Sequence, residues 1–459
     1  MARIVQKYGG TSVATAEKIT EVARQVVATR RAGHDVVVVV SAMGGVTDEL
    51  LALASELSQR PDPRELDALL CTGEAQSAAL LSIAVEQLGM ASRSFSGPEA
   101  GILTDQRHGD ASIEKIDTER LRSALEGGVV PVVAGFQGEA SLSGARTTLG
   151  RGGSDTTGVA LAAALGADHC EIVTDVAGVY TADPREVAGA RRHAALSYEE
   201  MAELAASGAK VLAPSSVEYA RSHGVGLKVR SCRSVSDPGT WVGHHRPCAA
   251  PGAGGVWSAA PSSRPVAGVA GRRGLVRCVL RRVGGDCARR AFAALAERGI
   301  ETQLCRYGNL GTEAVSDVAF TVSAADAEGA RSVLTGTTLR GALGEVHWTS
   351  NLARLSVVGM GLGREPGSVA KMLHALCCAD VLGTDLVVAP HSLSVLTAES
   401  GLAAATQSVH DAFVAGLAVP RIRPVPHREL AVPGAGDQRR RAIAGQRRGA
   451  GLPALTAVH

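Results

Sequence analysis

The sequence predicts an α/β fold, and three observations carry that expectation. Apolar runs of strand length end in glycine turns, helical patterns follow those turns, and one run, Val36 to Val40, is five valines in succession. An uninterrupted β-branched run fits a strand buried on both faces of a mainly parallel sheet.

Taken in order, Arg3-Ile4-Val5-Gln6-Lys7 reads as a short strand that runs into Tyr8-Gly9-Gly10-Thr11-Ser12. An amphipathic helix follows, with Ile19, Val22, Ala23, Val26 and Val27 at helical spacing. The valine run ends in Ser41-Ala42-Met43-Gly44-Gly45-Val46-Thr47, Val129 to Ala134 ends in Gly135-Phe136, and Glu171 to Val173 ends in Thr174-Asp175. Ligands of open α/β sheets bind beyond the carboxyl ends of the strands. Lys7, Ser41, Gly135 and Asp175 are therefore expected along one edge. A lysine beside two glycines is placed to meet a phosphate as a point charge. The P-loop pattern is absent, so the phosphate binding is of another kind.

The segment Leu149-Gly150-Arg151-Gly152-Gly153-Ser154-Asp155-Thr156-Thr157 points to chemistry most directly. Its glycines let the backbone approach a ligand closely. Arg151 can grip a carboxylate or phosphate with two parallel hydrogen bonds. Ser154, Thr156 and Thr157 add hydroxyl donors, and Val159 to Leu165 reads as a helix, whose start favours anions.

Five motifs in order, namely Lys7 to Ser12, Gly73-Glu74, Gly150 to Thr157, Thr174 to Arg185 and Gly208-Ala209-Lys210-Val211-Leu212, resemble those of the aspartokinases. These are amino-acid kinases whose catalytic domain is followed by ACT regulatory domains. The resemblance implies a three-layer sandwich with a mainly parallel central sheet, followed by two ACT-like α+β modules. It implies ATP-dependent phosphorylation of the side-chain carboxylate of L-aspartate, with Mg²⁺ carried on ATP. Lys7, Arg151 and Asp175 are then the catalytic residues. Thr47, Glu74, Arg151, Gly152, Gly153 and Ser154 hold the amino acid, Glu74 pairing its ammonium and Arg151 its α-carboxylate. Lys7, Tyr8, Gly9, Gly10, Ser41, Thr174, Asp175, Tyr180, Asp183, Arg185 and Lys210 surround the nucleotide.

The chemistry agrees with those roles. A carboxylate nucleophile is already ionised near neutral pH, so no general base is required. The demand is to position two anions and offset their repulsion. Two positions depart from the family pattern: Ala75 stands where an arginine usually follows Gly-Glu, and Ser215-Ser216 follow Pro214 where an arginine is usual.

At 459 residues the chain has room for two or three domains. A net charge of +2 and 3% aromatic residues argue against nucleic-acid binding, which wants basic patches and stacking side chains. No apolar run is read as reaching membrane-spanning length. A strand beginning at Arg3 leaves no room for a signal peptide, and a cytoplasmic protein is expected. The nine cysteines lack CxxC spacing and are expected to be reduced and mostly buried; Cys377-Cys378 is poorly placed for zinc. His108-Gly109-Asp110 reads as an ordinary polar loop.

The expected organisation is a catalytic domain over 1–232, a Ser/Pro/Gly/His-rich linker over 233–264, ACT-like modules over 265–345 and 350–420, and a disordered tail over 421–459 carrying Arg439, Arg440, Arg441, Arg447 and Arg448. The first module reads strand, helix (Cys287 to Arg298), strand, strand; the second repeats that order, with its helix near Ser368 to Cys378. Gly359-Met360-Gly361-Leu362-Gly363 invites a dinucleotide-binding reading, but its third glycine is misplaced for one. By resemblance, lysine and threonine are the candidate effectors, and a homo-oligomer is expected because ACT modules complete their sheets by pairing. Arg281 to Asp286 and Val388-Ala389-Pro390-His391-Ser392 depart from the family's effector turns, so weakened or altered feedback control is expected. Two alternatives are a related kinase for another acidic amino acid and a catalytically silent amino-acid sensor or regulatory subunit.

Overall fold

In a computed structural model, residues 1–233, 237–243, 266–308, 315–336 and 345–415 are described. An eight-stranded sheet orders its strands Ala195–Leu196, Thr240–Val242, Leu227–Ser231, His169–Thr174, Arg3–Tyr8, Asp35–Val40, Val130–Ala134, Ser92–Phe95. All its pairings are parallel except that of Leu227–Ser231 with Thr240–Val242.

The valine run shows how this sheet becomes the middle of three layers. Side chains alternate between faces in a strand. Val36, Val38 and Val40 enter the core beneath helices Ala16–Arg31 and Pro63–Gln87. Val37 and Val39 enter the opposite core, with residues of Gly153–Leu165, Tyr198–Ala206 and Pro214–His223. Helix Pro63–Gln87 begins with a proline in its first turn and an Asp62 cap whose carboxylate accepts from the N–H groups of Arg64 and Glu65. Contrary to the sequence expectation, it is long and apolar enough, by length and composition, to cross a membrane; half of its apolar stretch is buried in this fold. It also carries the buried Asp67 and Glu74.

Three neighbouring strands are joined by one buried carboxylate. Glu171 accepts from Gln6 Nε2 (2.9 Å), Lys228 Nζ (3.1 Å) and Arg230 Nε (2.9 Å), and the Arg230 side chain is fully buried. Burial alone would raise the Glu171 pKa, but a hydrogen bond from His169 and the charges of Arg230 and Lys228 outweigh it and hold the carboxyl well below the usual range.

A second sheet of six antiparallel strands runs Gln303–Gly308, Val315–Ser323, Gly268–Gly284, Val346–Val358, Ser392–Ala398, Thr384–Ala389. Each half is a strand–helix–strand–strand–helix unit. The helices are Gly285–Glu297 and Ala327–Thr335 in the first half, Ser368–Cys378 and Leu402–His410 in the second. The closing helix of each unit was not read from sequence. The halves form one continuous sheet, because Gly268–Gly284 pairs with Val346–Val358 from Gly268↔Val358 to Leu280↔Val346.

Thr240–Val242, inside the expected linker, is instead a buried strand of the larger sheet, so the first domain extends past residue 232. Residues 234–236 and 244–264 of that linker, and the expected tail 421–459, lie outside the described residues. The described cysteines are all free: Cys71, Cys170 and Cys278 are buried, but Cys305, Cys377 and Cys378 are exposed, more than the sequence suggested.

Replacing Glu171 with leucine strands the Arg230 charge in the core. Chemical denaturation of Glu171→Leu is expected to show a loss of about 3–5 kcal/mol. The Glu171 contribution is present above the carboxyl's ordinary value of 4.5 and is lost as the pH falls below it, so wild type and variant should converge in acid.

Candidate active site

The carboxyl ends of the central strands are interlocked by backbone hydrogen bonds. Gly9 N–H donates to Val173 O (3.3 Å), Ser41 N–H to Tyr8 O (3.2 Å), Gly44 N–H to Gly10 O (3.1 Å) and Gly135 N–H to Val40 O (2.9 Å). Side chains would keep these turns apart. A Cβ on Gly10 would lie 2.6 Å from Ala42 O, and one on Gly135 2.9 Å from Ser154 Cβ.

Lys7 projects from this edge beneath helix Gly153–Leu165. Its ammonium lies 2.5 Å from the Asp155 carboxylate, with both side chains largely buried. Gly158 lets the helix settle on the lysine stem, since a Cβ there would come within 3.1 Å of Lys7 Cβ. Asp155 was not assigned a role from sequence; an acidic residue inside an otherwise anion-binding loop was the available signal. Tyr8, expected at the nucleotide, is corrected. Strand alternation sends its ring to the face opposite Lys7, where it is fully buried, bonds Gln6 Oε1 (3.3 Å), and has its pKa pushed up to about 12 by burial. Only its backbone belongs to the edge.

Glu74 reaches the edge from helix Pro63–Gln87, 3% exposed. Its Oε1 accepts from Ala42 N–H (3.1 Å), while buried Oε2 has no hydrogen-bond partner among the described residues. Burial pushes its carboxyl up to about 7. An ionised carboxylate with an open oxygen calls for a cation. Thr47 lies in the first turn of helix Val46–Leu57, which follows Gly45 in the left-handed conformation.

Arg151 sits between Gly150 (φ 68°) and Gly152 (φ 81°), both in the left-handed region open to glycine. It is exposed, and its guanidinium has no partner among the described residues. Ser154 is buried against Gly135, and Thr157 Oγ1 accepts from the N–H of Phe136 (3.1 Å), which itself has a φ of 69°. The loop's outer side rests on the His108 turn, which is tied down more firmly than its sequence suggested. Fully buried Asp67 accepts from Gly109 N–H (3.1 Å) and Thr148 Oγ1 (2.6 Å), and meets His108 Nδ1 at 2.8 Å. Ser215, one of the departures, places its hydroxyl 3.3 Å from that of Thr156.

Thr174, Asp175, Tyr180, Asp183, Arg185 and Lys210 line one cavity of about 290 Å³. Arg185 grips Asp183 with two hydrogen bonds (3.0 and 2.8 Å), and Thr174 Oγ1 donates to Asp175 (3.1 Å). Lys7, Gly9, Gly10 and Ser41 do not line this cavity; they belong to the strand edge, joined to it through Val173 and Thr174. The far wall was not foreseen. Val269, Ala270, Gly271 and Arg273 come from the second sheet, and Thr406 from helix Leu402–His410.

The amino acid kinase family matches residues 2–231. The aspartokinase of Corynebacterium glutamicum is 42% identical over 420 residues, which cover 91% of this chain and 97% of its own. The structure of E. coli aspartokinase III in complex with aspartate and ADP, in its R-state, has the same fold, with a TM-score of 0.73 over 89% of this chain and 99% of that one at 24% identity. The same enzyme in complex with lysine and aspartate, in its T-state, gives a TM-score of 0.66 at 25% identity, over 90% and 99% of the two chains. Those likenesses identify the smaller sheet with its helices as two ACT-like modules behind an amino-acid-kinase sandwich. By sequence and by fold, the chain belongs to the aspartokinases of the amino acid kinase family.

Proposed function

We propose that the chain transfers the γ-phosphoryl group of MgATP to the side-chain carboxylate of L-aspartate, giving 4-phospho-L-aspartate. The observation that carries this reading is Glu74, buried at the strand edge with an oxygen that has no partner among the described residues. A free α-ammonium satisfies it, whereas an N-acylated substrate leaves it unpaired. Arg151 takes the α-carboxylate, and Thr47, Gly152, Gly153 and Ser154 close around the amino acid. The nucleotide lies in the cavity of Thr174, Asp175, Tyr180, Asp183, Arg185 and Lys210, with its phosphates directed to Gly9, Gly10, Ser41 and Lys7. Mg²⁺ enters as part of the substrate, held by phosphate oxygens and water.

Lys7 stands between donor and acceptor. It offsets the repulsion of the two anions and the charge that spreads over the moving phosphoryl group. Asp155 holds its ammonium in place, so little reorganisation accompanies transfer. We further propose that feedback by lysine and threonine is weakened or altered. The turn at Pro390 is committed within its own module: Pro390 O accepts from Gly363 N–H (3.3 Å), and His391 accepts from Gly361 N–H at Nδ1 (3.1 Å) and from Gly359 N–H at its carbonyl (2.9 Å). The E. coli relative caught with lysine makes that amino acid the first effector to try.

The test is hydroxamate formation from purified protein, ATP, Mg²⁺, L-aspartate and hydroxylamine. Lys7→Ala is expected to lower kcat about 10²–10³-fold; a variant as active as wild type would end the reading. Inhibition by millimolar lysine plus threonine as deep as in a feedback-sensitive relative would defeat the proposal on control.

Glu74→Gln should separate binding from stability. Removal of its buried charge is expected to raise KM for aspartate about 10²-fold. The raised Glu74 carboxyl contributes stability below its ordinary 4.5 that is lost as the pH rises through about 7. Glutamine escapes that loss, so thermal denaturation without substrate should favour the variant more at pH 8 than at pH 5. In wild type, KM for aspartate should rise as the pH falls below about 7, because protonated Glu74 cannot pair an ammonium.

A further inference from the structure

Thr181 lies in the cavity loop between Tyr180 and Ala182, yet it is absent from the cavity wall and is 2% exposed. Its N–H donates to Arg191 O (2.9 Å), and its carbonyl accepts from Val269 N–H (2.7 Å) on the strand Gly268–Gly284. Its hydroxyl oxygen accepts from Arg191 N–H (3.0 Å) and lies 2.9 Å from Nε2 of His410. The Asp411 carboxylate, 3.8 Å from Nδ1, favours a neutral ring with its proton on Nδ1, which leaves Nε2 to accept the Thr181 hydroxyl proton.

His410 ends helix Leu402–His410 and is 1% exposed. Burial lowers its pKa against the pull of Asp411, whose Oδ1 is 3.8 Å from Nδ1. The same helix grips the loop again further on. Gln407 Oε1 accepts from Ala188 N–H (2.9 Å), and Gln407 Nε2 donates to Ala188 O (3.3 Å). Just past the helix, Val414 O accepts from Arg191 Nη2 (2.8 Å). Among the described residues, no hydrogen bond or ion pair joins the helix to Lys7, Glu74 or Arg151.

We propose that His410 is a positioning residue for the nucleotide: by accepting the Thr181 hydroxyl it fixes the loop that presents Tyr180, Asp183 and Arg185, so that the last helix of the second module sets ATP affinity. The inference rests on the cavity being the nucleotide site. Its signature is selective. KM for ATP depends on the bond, whereas KM for aspartate does not.

Full-length His410→Phe fills the space without an acceptor, and His410→Gln restores one. Calorimetric ADP binding and initial rates are expected to show Kd for ADP and KM for ATP raised about ten-fold in His410→Phe, the equivalent of about 1.4 kcal/mol. KM for aspartate should stay within about two-fold, and His410→Gln should recover most of the affinity. Thr181→Val should reproduce the effect, and the double variant should be no worse than either single one. A folded His410→Phe with unchanged nucleotide affinity, or with both KM values shifted together and no rescue by Gln, overturns the proposal. If His410→Phe does not fold, unchanged ADP affinity in Thr181→Val overturns it equally. Lys210→Ala separates the two readings. Intact ADP binding in that variant removes the cavity assignment itself; weakened binding beside a normal His410→Phe leaves that assignment standing and removes only the role of His410.

Discussion

The catalytic half depends on a charge held where charge is costly. Glu171 and Arg230 lie in the middle of a sheet whose remaining interior is mostly valine, leucine and alanine. Apolar residues of similar volume could fill that space without a desolvation penalty. What they could not do is distinguish one valine-rich strand from another. Glu171 meets partners on Arg3–Tyr8 and on Leu227–Ser231 together, which fixes the strand between them in register. A slip of one residue would turn the carboxylate to the other face and separate the charges. Because every turn at the carboxyl edge is bonded to its neighbour, the alignment of the strands is also the alignment of the site.

At that edge, short contacts are obtained by leaving out atoms. Gly10, Gly135 and Gly158 each stand where a methyl group would push away a backbone or side chain that has to be close. The electrostatics follow a similar economy. Lys7 has its counter-charge in Asp155, whereas Glu74 and Arg151 have none among the described residues. The buried Glu74 oxygen reduces the stability of the protein, and under the proposed function the ammonium of the amino acid satisfies it.

Much of this was legible before the fold was known, and the limits are physical. The valine run betrayed a two-sided strand because both of its faces had to be apolar. The glycine turns betrayed the edge because close approach needs them. Tyr8 was misplaced because the motif was read as a block, although alternation alone puts it opposite Lys7. Asp155 stood in plain sight, but its partnership with Lys7 depends on where a helix lands. Thr240–Val242 is too short a strand to show a period. The wall formed by Val269, Ala270, Gly271, Arg273 and Thr406 had no local signal, because it exists only through docking of segments far apart in sequence.

The bond between Thr181 and His410 spans 229 positions of the chain. During synthesis at about 5–20 residues per second, the loop leaves the ribosome ten seconds or more, in order-of-magnitude terms, before the histidine that anchors it. Strands and helices of the first domain can assemble in that interval, since their contacts lie within the emerged segment. The cavity loop lacks its bonds to His410, Gln407 and Val414 until the final helix arrives. A nascent chain therefore passes through a stage in which its central sheet is built while one wall of this loop-lined hollow is still being translated, and a premature stop before residue 410 leaves that stage permanent.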